Sequence, residues 1–453
     1  FDPSPGTFEL ASPDGAGIFV SKLDTDGNFL WAKVIAGPSA CLSHKIDVDI
    51  AGNVYITGQF HAYADFDPGP EVFELVSMSS GSDIFVLKLD TNGNFVWAKA
   101  LHGTYSNDKG YGITVDSMGN VYTTGYFGDT MDFDPGPGVF DLQAEGSIDA
   151  FVLKLDNDGN FLWADNIGRT GYAVAVDDMD DLYILGDFNS TVDFDPGPGV
   201  FELTAIESNS DMFISKIDYD GNFVWAKQIG TYGNTTPQDI ALDSWGNIYA
   251  TGSFDGSADF DPGPDTVLFT SQGYQSDTFV LKLNGNGELV WGKHIAGMLA
   301  SGGRDIAVDN AENTYTTGFF FNTDFDPGTE DFELTSAGQA DAFITKLAGP
   351  PPVVVSVAPA QPGVTQGGTL EFIVVFSVEV TGVDVSDFVI NTTGHISNPQ
   401  IISVVGSGNT YTVIVANAEG NGTLRLDIID DDTIADGNGT PLGDAGVGNG
   451  DYA

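Results

Sequence analysis

The chain has 453 residues, and its 65 acidic against 15 basic side chains give a formal net charge of −50. Nucleic-acid phosphates and anionic membrane surfaces repel a chain this acidic, so nucleic acid is excluded as a partner. Hydrophobic residues make up 42% and aromatic residues 12% of the sequence, which is too much apolar material for a disordered polyelectrolyte. The 58 glycines and 21 prolines indicate many turns and favour an all-β fold.

Neither a disulfide nor a membrane span is expected. Cys41 is the one cysteine, so no internal disulfide can form, and a small buried thiol is the expected state. The densest apolar stretch, Leu370–Val380, is interrupted by Glu371 and Glu379 and is too short to cross a bilayer.

Self-similarity is the dominant feature of the sequence. The string Phe-Asp-Pro recurs about every 65 residues, at Phe1, Phe66, Phe133, Phe194, Phe260 and Phe325. Five of the six tryptophans keep the same spacing: Trp31, Trp97, Trp163, Trp225 and Trp291. One repeat position holds Lys22, Lys88, Lys154, Lys216, Lys282 and Lys346, and a second holds Lys33, Lys99, Lys227 and Lys293, with Asp165 in the third repeat. Such regular spacing favours structural roles, with tryptophans between repeats and lysine stems over apolar surface.

Each repeat is predicted to form four strands. In one repeat these are strand A, Gly112–Asp116; strand B, Val121–Phe127; strand C, Ala150–Asp156; and strand D, Phe161–Ile167. Turns of the type Asp-x-x-Gly-Asn join A to B and C to D, with glycine supplying a positive φ. The strands are apolar on both faces, so both faces must be covered. Four-stranded sheets stacked radially, as in a β-propeller, satisfy this requirement.

The pattern DAFVLKLD-x-x-GNFLWA … GxTVD-x-x-GNVYTTG closely resembles the bacterial β-propeller repeats called SBBP and is similar to NHL-type blades. The resemblance covers about residues 1–347. It implies a propeller of four-stranded blades and no single activity, because propellers host many functions. The sequence departs from the usual pattern by an insert between strands B and C, of the form DFDPGPxxFEL, which lengthens the blade to about 65 residues.

The sequence predicts five or more blades. Strand A ends at five aspartates, Asp49, Asp116, Asp177, Asp243 and Asp309, whereas strand C starts six times, near Ile18, Ile84, Ala150, Met212, Thr278 and Ala342. Either the two ends of the repeat region share one blade of a five-bladed ring, or upstream residues complete a larger ring. We favour the shared blade, with Phe1–Ile35 packed beside the blade that contains Arg304–Leu347. Since the sequence opens inside a repeat, a longer precursor is expected.

Composition changes after the repeats. The expected domains are a β-propeller at 1–348, a proline-rich linker at 349–352 and a second domain at 353–453. Alternating segments in the second domain predict strands at Leu370–Phe376, Phe388–Ile390, Ile401–Val405, Thr410–Val415 and Thr423–Ile429. The strings VEVTGVDVSDFVI, SGNTYTVIV and GTLRLDI resemble bacterial Ig-like repeat domains of large surface proteins. The resemblance implies an Ig-like β-sandwich.

Paired carboxylates are the candidate metal ligands. The inserts carry Asp65/Asp67, Asp132/Asp134, Asp193/Asp195, Asp259/Asp261 and Asp324/Asp326, and the second domain carries Asp430, Asp432 and Asp436. Residues i and i+2 of an extended chain point to one side, and Ca²⁺ takes six to eight oxygen ligands. The alternative is that each aspartate caps the Pro-Gly-Pro turn. Structural Ca²⁺ is therefore the expected cofactor, while the Asp-x-Asp-Gly-Asn turns, such as the one starting at Asp156, are expected to be hairpin turns.

Long B–C inserts and D–A loops are expected on one face of the ring, where loops on a rigid scaffold usually bind partners. The departures from repeat symmetry, such as His44 and Arg304, form no recognisable catalytic motif, so no enzyme is expected. The predicted function is a secreted or cell-surface structural and adhesive segment of bacterial type, with a protein or glycan surface partner. The alternative is a carbohydrate-binding module using loop aromatics such as Tyr105 and Tyr232. A third hypothesis is a glycosidase-like enzyme, since carboxylates are abundant.

Overall fold

The computed structural model describes residues 7–12, 17–37, 39–78, 81–104, 107–206, 210–272, 275–328, 332–360, 368–429 and 431–443. These residues form β-strands and one 3-10 helix, Val385–Asp387. Within them, no helix has the length and apolar character needed to cross a membrane. The chain divides into two compact units, Phe1–Ala307 with Thr316–Thr345, and Val308–Tyr315 with Lys346–Ala453.

The repeats form four complete blades, each an antiparallel sheet in the order A–B–C–D, and two partial ones. Blade 1 has β1 (Ile18–Leu23) and β2 (Phe29–Ile35). Blade 2 has β3 (Cys41–Val48), β4 (Val54–His61), the insert strands β5 (Tyr63–Asp65) and β6 (Glu74–Val76), β7 (Ser82–Leu89) and β8 (Phe95–Gly103). Blade 3 has β9 (Lys109–Val115), β10 (Val121–Phe127), β11 (Thr130–Asp132), β12 (Asp141–Gln143), β13 (Asp149–Leu155) and β14 (Phe161–Asn166).

The pattern continues through the next three blades. Blade 4 has β15 (Thr170–Val176), β16 (Leu182–Phe188), β17 (Thr191–Asp193), β18 (Glu202–Thr204), β19 (Asp211–Ile217) and β20 (Phe223–Thr231). Blade 5 has β21 (Thr235–Leu242), β22 (Ile248–Phe254), β23 (Ser257–Asp259), β24 (Leu268–Thr270), β25 (Asp277–Leu283) and β26 (Leu289–Ile295). Blade 6 has β27 (Ser301–Val308), β28 (Thr314–Phe320), β29 (Asn322–Asp324), β30 (Glu333–Thr335) and β31 (Asp341–Leu347). The predicted four-strand repeat is therefore confirmed.

The terminal strands correct the shared-blade prediction. In the described part of the chain, β1 and β2 form a two-stranded sheet, while β27, β28 and β31 form a separate three-stranded sheet. Both β1 and β31 are C strands, and one blade has room for a single C strand, so the two ends cannot share a blade. Each partial blade keeps exposed apolar residues, with Phe19 at 61% and Ile344 at 79% exposure. The first six residues of the predicted Phe1–Ile35 segment lie outside the described residues.

Each B–C insert forms a short β-hairpin, which the sequence pattern did not predict. Strand β11 pairs with β12 and also with β8 of the preceding blade, and β23 pairs in the same way with β20. In the five Phe-Asp-Pro strings that the structure describes, the phenylalanine is buried beneath its hairpin, with Phe133 at 0% exposure between Phe127 and Phe151. The inserts therefore join neighbouring blades.

A repeated set of side chains joins each blade to the next. The Trp97 indole lies between blades and donates to the carbonyl of Asn157, in the C–D turn of blade 3. Lys88 is 5% exposed, donates to the same carbonyl and lies 5.0 Å from the Tyr55 ring centroid. The structural role predicted for the repeated lysines is confirmed here. The tryptophans of blades 1 to 4 lie against the C–D turn of the next blade, and all five repeated tryptophans are half-buried rather than fully buried.

The second unit is also built from β-strands. It contains a four-stranded sheet of β32 (Val354–Pro359), β33 (Thr369–Phe376), β36 (Gln400–Ser407) and β37 (Thr410–Ala416), and pairs formed by β34 (Val380–Thr381), β35 (Phe388–Ile396), β38 (Gly420–Ile428) and β39 (Ala435–Asp436). The five predicted strands correspond to β33, β35, β36, β37 and β38. A core that includes Val374, Val413 and Leu426 is buried within this unit.

Candidate functional site

The innermost strands of blades 2 to 5 carry a β-bulge at one repeat position. In β3, Ser43 pairs with Gly58 and Lys45 with Thr57, which leaves His44 as the extra residue. The extra residues in the next three A strands are Tyr111, Tyr172 and Gln238. All stand five residues before the aspartate that ends the A strand, and Arg304 occupies that position in blade 6. Since a bulge redirects its side chain, this position is suited to present side chains away from the sheet.

A glycine in strand B accommodates each bulge. A Cβ added to Gly125 would overlap the carbonyl oxygen of Lys109 on the facing A strand. The corresponding glycine of blade 2, Gly58, would overlap the carbonyl oxygen of Leu42 in the same way. The Thr-Gly pair of the repeat motif therefore permits the close backbone approach that the bulge needs.

The bulge residues meet around one cavity. His44, Tyr111, Tyr172, Gln238 and Arg304 line a space of about 280 Å³, together with Lys45 and Asp305. We call this space the axial cavity. Its lining comes from the A strands of all five blades that have one. These residues are far apart in sequence, and a shared lining from five A strands is what radially stacked blades would produce.

A cation between two carboxylates lies beside the axial cavity. The Lys45 ammonium lies 2.7 Å from Asp239 and 3.4 Å from Asp305. Asp239 is 2% exposed and also accepts the Ile306 backbone N–H at 3.0 Å. Burial raises the pKa of Asp239, and the Lys45 ammonium partly offsets that rise. Burial lowers the pKa of Lys45, but the two carboxylates outweigh burial and leave it raised.

Aromatic rings form the neighbouring wall of the axial cavity. The Tyr111 and Tyr172 rings are stacked, with centroids 5.7 Å apart and an interplanar angle of 7°. The His44 ring meets Tyr111 edge-on at 4.9 Å. Partial burial, with the nearby Lys109 charge, lowers the pKa of His44 and favours its neutral form at pH 7. Arg304 donates to the Gln238 side-chain oxygen at 2.8 Å, so the planar amide and guanidinium groups adjoin this wall.

The candidate metal ligands in the inserts are turn caps in the structure. Asp132 accepts the backbone N–H groups of Asp134 and Phe140 at 3.0 and 2.8 Å, and Asp134 accepts that of Gly136 at 2.8 Å. The same bonds recur in the other four inserts, at Asp65 and Asp67, Asp193 and Asp195, Asp259 and Asp261, and Asp324 and Asp326. Among the described residues, no three His, Cys, Asp or Glu side chains converge as a metal site. Calcium binding by these pairs stays a prediction.

Among the acidic candidates of the second unit, Asp436 is a turn cap in the structure. Asp436 is 3% exposed and caps its turn by accepting the N–H groups of Asn438 and Thr440, both at 2.8 Å. Asp432 is exposed, and Asp430 lies outside the described residues. Calcium binding by Asp430, Asp432 and Asp436 stays a prediction.

A second cavity lies where the long loops of two blades meet. Its volume is about 560 Å³, and its lining includes the blade 3 insert, the loop from β14 to β15, and the blade 4 insert. The predicted clustering of B–C and D–A loops is thus confirmed at this place. Asp165, which replaces the repeated lysine, lines this cavity with Asp193 and Asp195. Burial raises the pKa of Asp165 to about 6.

Of the two loop aromatics proposed for sugar binding, one is exposed and the other is not among the described residues. Tyr232 is 63% exposed, and Tyr105 lies outside the described residues. His44 and Arg304 are departures from the repeat symmetry, and nothing in their local sequence connects them. Aligning the A strands on their terminal aspartates places both at one position with Tyr111, Tyr172 and Gln238. That alignment is the signal that would have found the axial cavity.

A family match and a relative from the comparisons with known proteins agree with the repeat architecture. The SBBP β-propeller repeat family matches residues 96–126 and 224–260. The chain is 26% identical over 408 residues to the uncharacterised WD repeat-containing protein L264 of Acanthamoeba polyphaga mimivirus, and the match covers 73% of this chain but only 28% of that relative. A solved structure of a protein of unknown function from Bacteroides caccae aligns with a TM-score of 0.30 and 9% identity over 63% of this chain and 92% of that one. The SBBP matches and the WD-repeat relative, taken with the repeated four-stranded blades, identify the chain as a β-propeller repeat protein.

Proposed function

We propose that the chain is part of a bacterial protein with a structural and adhesive role outside the cell or at its surface. The propeller would present a partner-binding face, and the second unit, as an Ig-like sandwich, would act as a spacer. One observation carries this proposal: the repeated side chains are committed to packing and turn capping, as with Lys88, Trp97 and Asp132. Repeated side chains of this kind build a scaffold, whereas the positions that vary between blades are available to bind a partner.

Exposure to protease on intact cells tests this proposal. An antibody against the chain should detect it on unpermeabilised source cells or in the culture medium, and protease added outside should remove the cell-bound signal. Beads coated with the chain should adhere to surfaces that display the partner. A signal found only after cell lysis, and protected from external protease, would contradict the proposed location.

A carbohydrate-binding module is the second candidate function. The axial cavity supports it, because stacked tyrosines and planar polar groups adjoin there, and ligand pockets usually combine apolar walls with a few polar groups. A glycan array probed with the labelled chain separates this function from scaffolding alone. Selective retention on one glycan class supports it, and uniform absence of retention contradicts it.

A glycosidase-like enzyme is the third candidate, favoured by Asp165. Its raised pKa and its place in a cavity with Asp193 and Asp195 are features that hydrolytic acids share. Incubation of the chain with a panel of aryl glycosides tests this candidate. Release of the aryl alcohol that is lost in Asp165→Asn supports it, and no release from any glycoside contradicts it.

A further inference from the structure

We propose that the axial cavity binds one sugar residue that bears a carboxylate, of the uronic acid class. This inference rests on the proposed function, since the sugar would belong to the surface partner held by the propeller. Three independent features support it: the size and walls of the cavity, the bonding of Arg304, and the distribution of cationic residues.

The size and walls suit a single hydroxylated ring. A volume of about 280 Å³ is slightly below the usual range of ligand pockets, about 300–1,000 Å³, and therefore suits a small ligand. The stacked Tyr111 and Tyr172 rings offer an apolar surface with polar hydroxyl ends. Gln238, His44 and Asp305 add hydrogen-bonding groups around the same space. This combination accommodates a ring that is apolar on its C–H face and polar along its edge.

Arg304 supplies the guanidinium group that would bind the carboxylate of the sugar. Its guanidinium donates through Nη1 to Gln238 at 2.8 Å and lies 5.3 Å from the Phe319 ring centroid, contacts that orient the planar fork. A guanidinium has five N–H donors and binds carboxylates with two parallel hydrogen bonds. Lys45, in contrast, already lies between Asp239 and Asp305. The carboxylate of the ligand is therefore assigned to Arg304.

The remaining cations point to the same location. Ten of the fifteen cationic residues occupy the two repeated lysine positions, and Arg425 lies in the second unit. The other four are Lys45, Lys109, Arg169 and Arg304. Three lie on A strands, and Arg169 immediately precedes β15, where it pairs with Asp187 at 3.0 Å. In a chain with a net charge of −50, this grouping places cations on the inner strands, where carboxylates pair with Lys45 and Arg169 and Arg304 lines the axial cavity.

Titration calorimetry on the full chain tests this inference. The probes are glucuronic and galacturonic acids, with glucose and galactose as neutral counterparts. At least one acid should bind at least tenfold more tightly than its neutral counterpart. Equal binding of acid and neutral sugar would overturn the role of the carboxylate, and no binding of any of the four would overturn the site.

Variants locate the binding. Arg304→Gln places at this position the residue that blade 5 already has there, Gln238, and should weaken acid binding at least tenfold with an unchanged unfolding midpoint. Tyr232→Ala, on an exposed loop residue, is the matched control and should bind as the parent does. Loss in Tyr232→Ala with retention in Arg304→Gln would move the site to the loop face and overturn the inference. Protease accessibility on cells is measured separately, so failure here is distinguishable from failure of the proposed function.

Discussion

Lys154 shows how single side chains hold adjacent blades together. It is 2% exposed, donates to the Tyr219 carbonyl at 2.9 Å and lies 5.0 Å from the Tyr122 ring centroid. Burial lowers its pKa, although carboxylates around it act in the opposite direction. Lys216, at the same position of the next repeat, contacts Asp181 directly at 2.9 Å, and its pKa is raised despite burial. One repeat position thus keeps its packing role while its ion pairing changes.

Trp163→Ala should reduce the free energy of unfolding by about 2–4 kcal/mol, because removal of a large aromatic from an interface leaves a cavity. The half-buried ring contacts the blade 4 core and lies against Gly221 in the next C–D turn. Chemical denaturation measures the change. Trp245→Ala, at a ring that is 54% exposed, is the control and should change stability by no more than about 0.5 kcal/mol. Equal effects in the two variants would contradict interblade packing.

Asp108→Asn should stabilise the protein increasingly as pH rises from 5 to 8. Asp108 is 0% exposed and accepts the Gly128 N–H at 3.0 Å. Burial, with repulsion from Asp83 and Asp129, raises its pKa from 3.8 to about 7. The contribution that favours folding is therefore complete below about pH 4 and is lost as pH rises through about 7, at about 1.4 kcal/mol for each unit of pKa difference. Asparagine stays neutral throughout this range.

Unfolding midpoints of the parent and Asp108→Asn at pH 5 and pH 8 check this prediction. The difference between the two proteins should be larger at pH 8, in favour of the variant. A difference that is the same at both pH values would show that Asp108 ionises in the folded protein as it does in the unfolded chain.

The insert hairpins are the elements in which capping and calcium binding compete as explanations. Asp132 and Asp134 together accept three backbone N–H groups, and this pattern recurs in five inserts. Capping alone accounts for the invariant spacing, since an aspartate side chain commonly closes such turns. Calcium would add a second role, using carboxylate oxygens as ligands. An asparagine can still accept the N–H bonds but is a weaker calcium ligand, which separates the two roles.

Millimolar Ca²⁺ should raise the unfolding midpoint relative to chelator, since a ligand that binds only the native state stabilises it. With Asp132→Asn and Asp134→Asn, and parallel changes in the other inserts, the response to Ca²⁺ should disappear while the midpoint in chelator stays close to that of the parent. Magnesium at equal concentration is the control for ionic strength. An unchanged midpoint in the parent, with no bound Ca²⁺ by elemental analysis, would leave turn capping as the complete explanation.

The elements differ in how well their sequences predict them. Strand B of blade 3 was predicted with its observed bounds, Val121–Phe127, because Gly-Asn precedes it and its apolar run is continuous. The insert strands, such as Thr130–Asp132, were missed since three residues are too few for an alternating pattern. The axial cavity was missed for another reason. The bulge position that lines it is occupied by His, Tyr, Tyr, Gln and Arg in successive blades, and a repeat pattern is built from the positions that stay the same.

At the scale of the propeller unit, the structure combines a uniform framework with a varied centre. The A strands of successive blades contact one another, and the bulges present different side chains toward one axial cavity. Repetition stabilises the framework, because each blade contacts its neighbours through the same contacts. The varied centre then determines what can bind. Both statements depend on the radial convergence of strands that are far apart in sequence.

The contact between Lys45 and Asp239, 194 residues apart in sequence, tests that convergence most directly. Stabilities of the parent, Lys45→Met, Asp239→Asn and the double variant, measured by chemical denaturation, form a double-mutant cycle. We predict a coupling energy of about 1 kcal/mol or more, as found for residues in direct contact. Lys33→Met, on β2, combined with Asp239→Asn is the control and should be additive. Additivity within about 0.3–0.5 kcal/mol for the Lys45 and Asp239 pair would contradict the convergence of the A strands on one axis.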